Sequence, residues 1–216
     1  MEEKTSQKKV KRNNREVILD VAEKLFSVNG LAGVSIRQIT SSANVDVSLV
    51  NYYFGTKDKL FEEVLIRRVG QMSRSRMERL SELDLAEEAE RLNKKILSYF
   101  ILPLIGDNIK DREKLANYRR LIALVANSRK WQDLVFKNHY DAVAEEYIDI
   151  LWRVNSHKSR KSVCWAFNFF LGSLTNAIAE TGRIDRLSYG DALSSDLDEM
   201  AEKLIEFTDA GLRGTH

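Results

Sequence analysis

A single proline, Pro103, and only ten glycines in 216 residues constrain this chain more than any other feature. Proline and glycine punctuate turns, and a β-sandwich or barrel of this length needs many of them. A chain so short of both folds into long helices. An apolar fraction of 44% against 31% charged residues supplies a core and argues against wholesale disorder. With one cysteine, Cys164, there is no intramolecular disulfide to form and no basis for a Cys-based zinc site. The N-terminal stretch MEEKTSQKKVKRNNR is charged and is followed by no apolar h-region, so no signal peptide is expected. No uncharged apolar run approaches the roughly 18 residues of a membrane span. The expectation is an all-α, cytoplasmic protein that does not enter a membrane.

The net charge of +2 says nothing about partners, but residues 1–60 hold ten Lys/Arg against seven Asp/Glu. Lys8, Lys9, Lys11, Arg12 and Arg15 form a basic arm that suits a phosphate backbone or equally a solvated terminus.

Behind this arm, Val17, Ile18, Val21, Ala22, Leu25 and Phe26 make one apolar helical stripe ending near Asn29. Gly30 follows at a position suited to a left-handed helix stop. Ser35-Ile36-Arg37-Gln38 has the spacing of a capping box and opens a helix of two turns. Asn44 is a turn residue that tolerates positive φ. Asp46 then caps a short helix from Val47 to about Phe54, Gly55 ends it, and Thr56 caps a long amphipathic helix carrying Leu60, Phe61, Val64, Leu65, Val69 and Met72. Further helices are expected near 86–102 (stopped by Pro103), 111–127, 130–154, 158–182 and 195–212, about nine helices in all. Gly182 sits at a helix C-terminal cap, and Ser195 and Asp198 have capping-box spacing.

A capped two-turn helix, a tight turn and a second short helix are the parts of a helix-turn-helix, whose second helix enters the DNA major groove. In that helix Val47, Ser48, Asn51 and Tyr52 share one face, roughly opposite Val50 and Phe54. On pattern alone a plain helical hairpin is the alternative.

The stretch ILDVAEKLFSVNGLAGVSIRQITSSANVDVSLVNYYFGTKDKLFEEVL resembles the DNA-binding domain of the TetR family of bacterial repressors. AxxLFxxxG, VSIRQIT, ANV and YYFGTKDKL, in that order over about residues 12–66, carry the resemblance. It implies a three-helix DNA-binding domain, placed at residues 1–56, and a larger helical effector-binding and dimerisation domain at 57–216. It further implies a homodimer on a palindromic double-stranded operator, with repression relieved by a small molecule and no cofactor; the alternative is a DNA-binding regulator controlled by a protein partner or not regulated. Asn51 stands where relatives usually carry Tyr, and Asn44 where they usually carry Gly, so no operator sequence transfers from a relative.

The residue chemistry agrees with a DNA contact surface. Arg37 can reach a guanine edge or a phosphate, Ser35 and its helix N-terminus a phosphate, and Asn51 the N6/N7 edge of adenine. Ser48 can bond a base or the backbone, Val47 can pack on a thymine methyl, and Tyr52 and Tyr53 carry phenols that reach phosphates. Lys57 is the expected phosphate clamp at the next helix start. Each has a structural alternative: packing for Tyr53, an ion pair for Arg37, a helix cap for Ser35.

In the larger domain the apolar faces near 158–182 and 195–212, including VCWAFNFFL (163–171), suit a four-helix dimer interface. Tyr99, Tyr118, Arg119, Leu121, Ile122, Val125, Trp131, Phe136 and Phe167 are the candidate effector contacts, with Arg119 or Arg120 able to receive an anionic group; for any single aromatic a plain core position is the alternative. Around WAFNFFLGSLTNAIAETGRIDRLS and LIEFTDAGLRG the chain faintly resembles fatty-acid- or acyl-CoA-responsive members, which implies a fatty acyl or aromatic effector. No Gly-rich phosphate loop, HExxH or GxSxG is present, and the three histidines (His139, His157, His216) are unclustered, so an enzyme is not expected.

Overall fold

The computed structural model describes residues 13–214. Every regular element among them is helical. The N-terminal module comprises α1 (Asn14–Asn29), α2 (Ile36–Ala43), α3 (Val47–Phe54) and α4 (Lys57–Ile66). The rest of the chain carries α5 (Val69–Ser81), α6 (Ala89–Ile105), α7 (Ile109–Val125), α8 (Arg129–Trp131), a π-helical turn (Gln132–Phe136), α9 (Lys137–His139), α10 (Asp141–Val154), α11 (Arg160–Ala177), α12 (Arg183–Leu187) and α13 (Leu197–Gly214).

In the N-terminal module the apolar stripe of α1 packs against the inner faces of α2, α3 and α4 through Ile18, Ala22, Phe26, Ile39, Val50, Leu60 and Phe61. Phe26 and Phe61 meet edge to face at 4.9 Å, an arrangement that aromatic quadrupoles favour. The opposite side of α1 lies along α7, where Ser27 donates to Asn117 at 3.3 Å. The module is therefore docked on the larger helical body, and α4, placed in the second domain on sequence grounds, packs against α1 and α3 as well as α7.

The expected long helix after Thr56 is broken. α4 stops at Ile66 and α5 starts at Val69, because Arg67 and Arg68 turn back onto α1. Arg67 pairs with Asp20 at 2.7 Å and Glu16 at 2.9 Å. Arg68 donates to Glu23, itself 4% exposed, at 3.0 Å. A buried carboxylate needs such a partner, and this one fixes the bend between α4 and α5.

Other boundaries shift for local reasons. α6 runs past Pro103 to Ile105 and ends only at Gly106; a proline in the final turn removes one bond without forcing a stop. The segment expected at 130–154 divides at the π-helical turn and again at Tyr140. α11 ends at Ala177, and Gly182, in the left-handed region, begins α12 instead of closing α11. Asp196, one residue beyond the expected Ser195, accepts from Glu199 N–H at 3.0 Å to cap α13. Gly30 closes α1 at φ 66° and ψ 176°, a conformation outside the left-handed helical well and effectively reserved for glycine.

Candidate nucleic-acid interface and effector cavity

The helix-turn-helix is fixed by local hydrogen bonds. Gln38 N–H donates to Ser35 Oγ at 3.2 Å, and Ser35 N–H donates to Gln38 Oε1 at 2.7 Å, which is the reciprocal capping box. Asn44 takes φ 52° and ψ 53° and turns the chain out of α2. Asp46 accepts from Ser48 N–H at 2.8 Å; that residue's hydroxyl and backbone bonds hold the Asp46 carboxyl below its usual pKa. The cap is therefore intact at neutral pH and is lost only as acid protonates Asp46.

Val50 and Phe54 anchor α3 in the core, while Val47, Ser48, Asn51, Tyr52 and Tyr53 all face outward. Tyr52 is 80% exposed, and its ring lies 5.1 Å from that of Tyr53. The polar and aromatic side chains of this eight-residue helix are therefore turned to solvent, apart from the Ser48 hydroxyl bonded to Asp46 and the edge contact of Tyr53 with Phe54. Arg37 is also exposed and makes no ion pair with a described residue. Ser35 is exposed, with its hydroxyl already engaged in the cap.

Lys57, expected as a phosphate clamp, is engaged inside the protein. Its ammonium donates to the carbonyls of Leu31 and Val34, both at 2.9 Å, and so ties the α1–α2 connection to the start of α4. Lys59, which no sequence motif singles out, is the cation left pointing outward at that helix start, 65% exposed and 2.8 Å from Glu62. Lys57→Met is expected to lower stability by about 1.5–3 kcal/mol, the usual range for hydrogen bonds from a charged donor, measured by denaturant melting. Arg15 is similarly occupied, 2.8 Å from Glu63 and over the Phe54 ring. The other arm residues lie outside the described residues.

The larger body encloses a cavity of about 350 Å³, within the range of small-molecule sites. Its walls come from α5, α6, α7, the π-helical turn, α10 and α11. Phe100, Leu104, Ile122, Leu171 and Leu174 form its apolar side; Arg76, Tyr118, Gln132, Tyr140 and Thr175 supply polar atoms. The π-helical turn matters here because it brings both Gln132 and Phe136 to the wall, as such turns do at many functional sites.

Of the expected effector contacts, Tyr118, Ile122 and Phe136 line this cavity. The others do not. Trp131 packs on Phe61 at 4.7 Å, and Phe167 is buried between Phe100 and Phe170. Leu121 and Val125 belong to the apolar core, and Tyr99 is partly buried against it. Arg119 is bound to Glu180 at 3.1 Å and to the Arg112 carbonyl at 3.0 Å, and Arg120 holds the other oxygen of Glu180 at 3.1 Å. This pair ties α7 to the connection after α11. The buried arginine facing the cavity is Arg76, which the sequence did not single out.

Two hydroxyls of the cavity reach the N-terminal module. The Tyr118 and Tyr140 hydroxyls lie 2.9 Å and 3.3 Å from the carbonyl oxygen of Leu65 and 2.5 Å from each other, so their two protons are shared among these three contacts. Burial raises the pKa of both, so both are neutral. Leu65 lies at the end of α4, beside the bend at Arg67 and Arg68. Outside the cavity, Trp165, Phe169 and Phe207 leave 54%, 60% and 67% of their surface exposed across α11 and α13. Cys164, beside Trp165 on α11, is half-buried.

Comparison with known sequences agrees with this geometry. The profile for the tetracyclin repressor-like C-terminal domain matches residues 98–211, and that for bacterial regulatory proteins of the TetR family matches residues 18–64. The chain belongs to the TetR family. Among TetR-family relatives, the transcriptional repressor NicS of Pseudomonas putida is 35% identical over 82 residues, 38% of each protein. The chain thus spans well under half the length of that relative. A TetR-like regulator from Rhodococcus sp. RHA1 superposes with a TM-score of 0.60 at 17% identity, covering 94% of this chain and 97% of that one. FadR from Bacillus subtilis, solved with stearoyl-CoA, gives 0.59 at 17% identity, covering 91% and 98%. At these identities the structural neighbours establish the TetR fold and nothing finer. Among the described residues, no helix is long and apolar enough to cross a membrane.

Proposed function

We propose that this TetR-family chain is a homodimeric, cytoplasmic DNA-binding repressor, released from a palindromic operator by a small and largely apolar effector. The outward face of α3 carries the reading. Ser48, Asn51 and Tyr52 are displayed by a helix whose other face is locked in the core, and a neutral amide at Asn51 has the bidentate geometry that adenine recognises. Arg37, Ser35, Tyr53 and Val47 flank it. Lys59 takes the phosphate role expected of Lys57.

Release follows from the path between the two sites. An effector that engages the Tyr118 or Tyr140 hydroxyl competes with their bonds to Leu65 and shifts the end of α4. The two recognition helices of the dimer then lose the spacing of about 34–36 Å that successive major grooves require. The effector acts only to the extent that it binds the released state more tightly. The dimer would form through the exposed aromatic face of α11 and α13.

Asn51→Ala is expected to weaken discrimination at one base pair of each half-site by about 1–3 kcal/mol, read as a position-by-position binding profile. An unchanged profile at every operator position would remove Asn51 from the reading surface. Lys59→Ala should weaken all sequences alike and reduce the slope of log K against log salt by about 0.9 for each phosphate that the lysine neutralises. Lys57→Met should leave that slope alone.

A further inference from the structure

The effector cavity contains a charge without a counter-ion. Arg76 is 5% exposed, and its Nε–H donates to the Phe100 carbonyl at 3.0 Å while the guanidinium lies over the Phe100 ring, 3.8 Å from its centroid. Neither Nη atom has an acceptor among the described residues. Burial lowers its pKa, the titratable groups nearest to it are the phenols of Tyr147, Tyr140 and Tyr118, and no carboxylate among the described residues pairs with it. Asp141, the one carboxylate on the cavity wall, is exposed.

Arginine stays protonated inside proteins, and a buried charge left without a partner is strongly unfavourable. Here the backbone bond and the ring fix the plane of the guanidinium and leave its Nη1–Nη2 edge free. That edge has the fork geometry that matches a carboxylate through two parallel hydrogen bonds. Beside it Phe100, Leu104, Ile122 and Leu174 form a continuous apolar side, and the remaining polar wall groups apart from Asp141 are uncharged.

We propose that the effector is an amphipathic organic acid whose carboxylate is held by the Nη1–Nη2 edge of Arg76 while its apolar body lies along Phe100, Leu104, Ile122 and Leu174. This rests on the reading of the cavity as the effector site. It differs from the sequence expectation, which gave the anion to Arg119 or Arg120. Both of those arginines are already engaged by the single carboxylate of Glu180.

Calorimetric titration of the dimer with decanoate, decan-1-ol and decylamine tests it. Decanoate is expected to bind at least about tenfold more tightly than decan-1-ol, and decylamine more weakly than either. Arg76→Met should remove the preference for decanoate over decan-1-ol, and Arg76→Lys should retain part of it, both in variants whose melting and DNA binding show them folded. Equal binding of decanoate and decan-1-ol to the unaltered protein would overturn the anion and leave the cavity as effector site. Binding of none of the three would overturn the cavity reading and the proposal with it. The comparison on unaltered protein stands even where a variant fails to fold.

Discussion

Phe169→Asp is expected to give a monomer and to lower operator affinity by about 10²–10⁴-fold, the usual gain from linking two binding modules. Phe169 is 60% exposed and its ring lies 5.6 Å from that of Trp165. With Phe207 on α13 they form an apolar face across the two helices. Large contiguous apolar patches on a soluble surface mark association sites. The backbone agrees, since a Cβ at Gly172 would meet nothing within 4 Å in the monomer. A partner helix therefore has room to approach closely. One carboxylate placed in that face would be desolvated on association without a partner. Sedimentation velocity on the variant, paired with titration of operator DNA, checks both halves. A variant that sediments as a dimer would show that the contact lies elsewhere.

Phe61→Ala is expected to destabilise the fold by about 3–5 kcal/mol, the range for removing a buried phenylalanine ring. Phe61 is 1% exposed and touches Phe26 of α1 and Trp131 of α8. It joins α4, the recognition module and the wall segment that carries Gln132 and Phe136. The variant should show a lower denaturation midpoint and, because the joint has loosened, a weaker response of DNA binding to effector. A loss under about 1 kcal/mol would mean that the neighbours close over the cavity and that the joint does not depend on this ring.

The helix-turn-helix was legible because its signals are local. A capping box, a residue able to take positive φ and an aspartate cap each act on groups within four residues of themselves. Ser35, Asn44 and Asp46 occupy in the structure the positions their side-chain chemistry demands. The larger body depends on partners far apart in sequence. Arg119 is embedded beside LIALVA and looks free to bind an anion, yet Glu180 lies 61 residues away and claims it. Arg76 sits in SRSRMER, which reads as a solvated face. The stripe Met72, Arg76, Leu80 at four-residue spacing was the one local hint that it points inward. The bend at Arg67 and Arg68 was hidden for a similar reason, because the apolar period continues through it while the acidic partners lie on α1. Lys57 resembles a free cation at a helix start until the carbonyls of Leu31 and Val34 are placed beside it.

Selection of bound sequences from random duplex DNA tests the central claim most directly. The expected result is an enriched palindrome whose half-sites are about 10–10.5 base pairs apart, or a multiple of that spacing. Enrichment should be lost when decanoate is added. Failure to enrich any sequence at low salt, or enrichment of one unrepeated half-site by the intact protein, would contradict a dimeric operator-binding repressor.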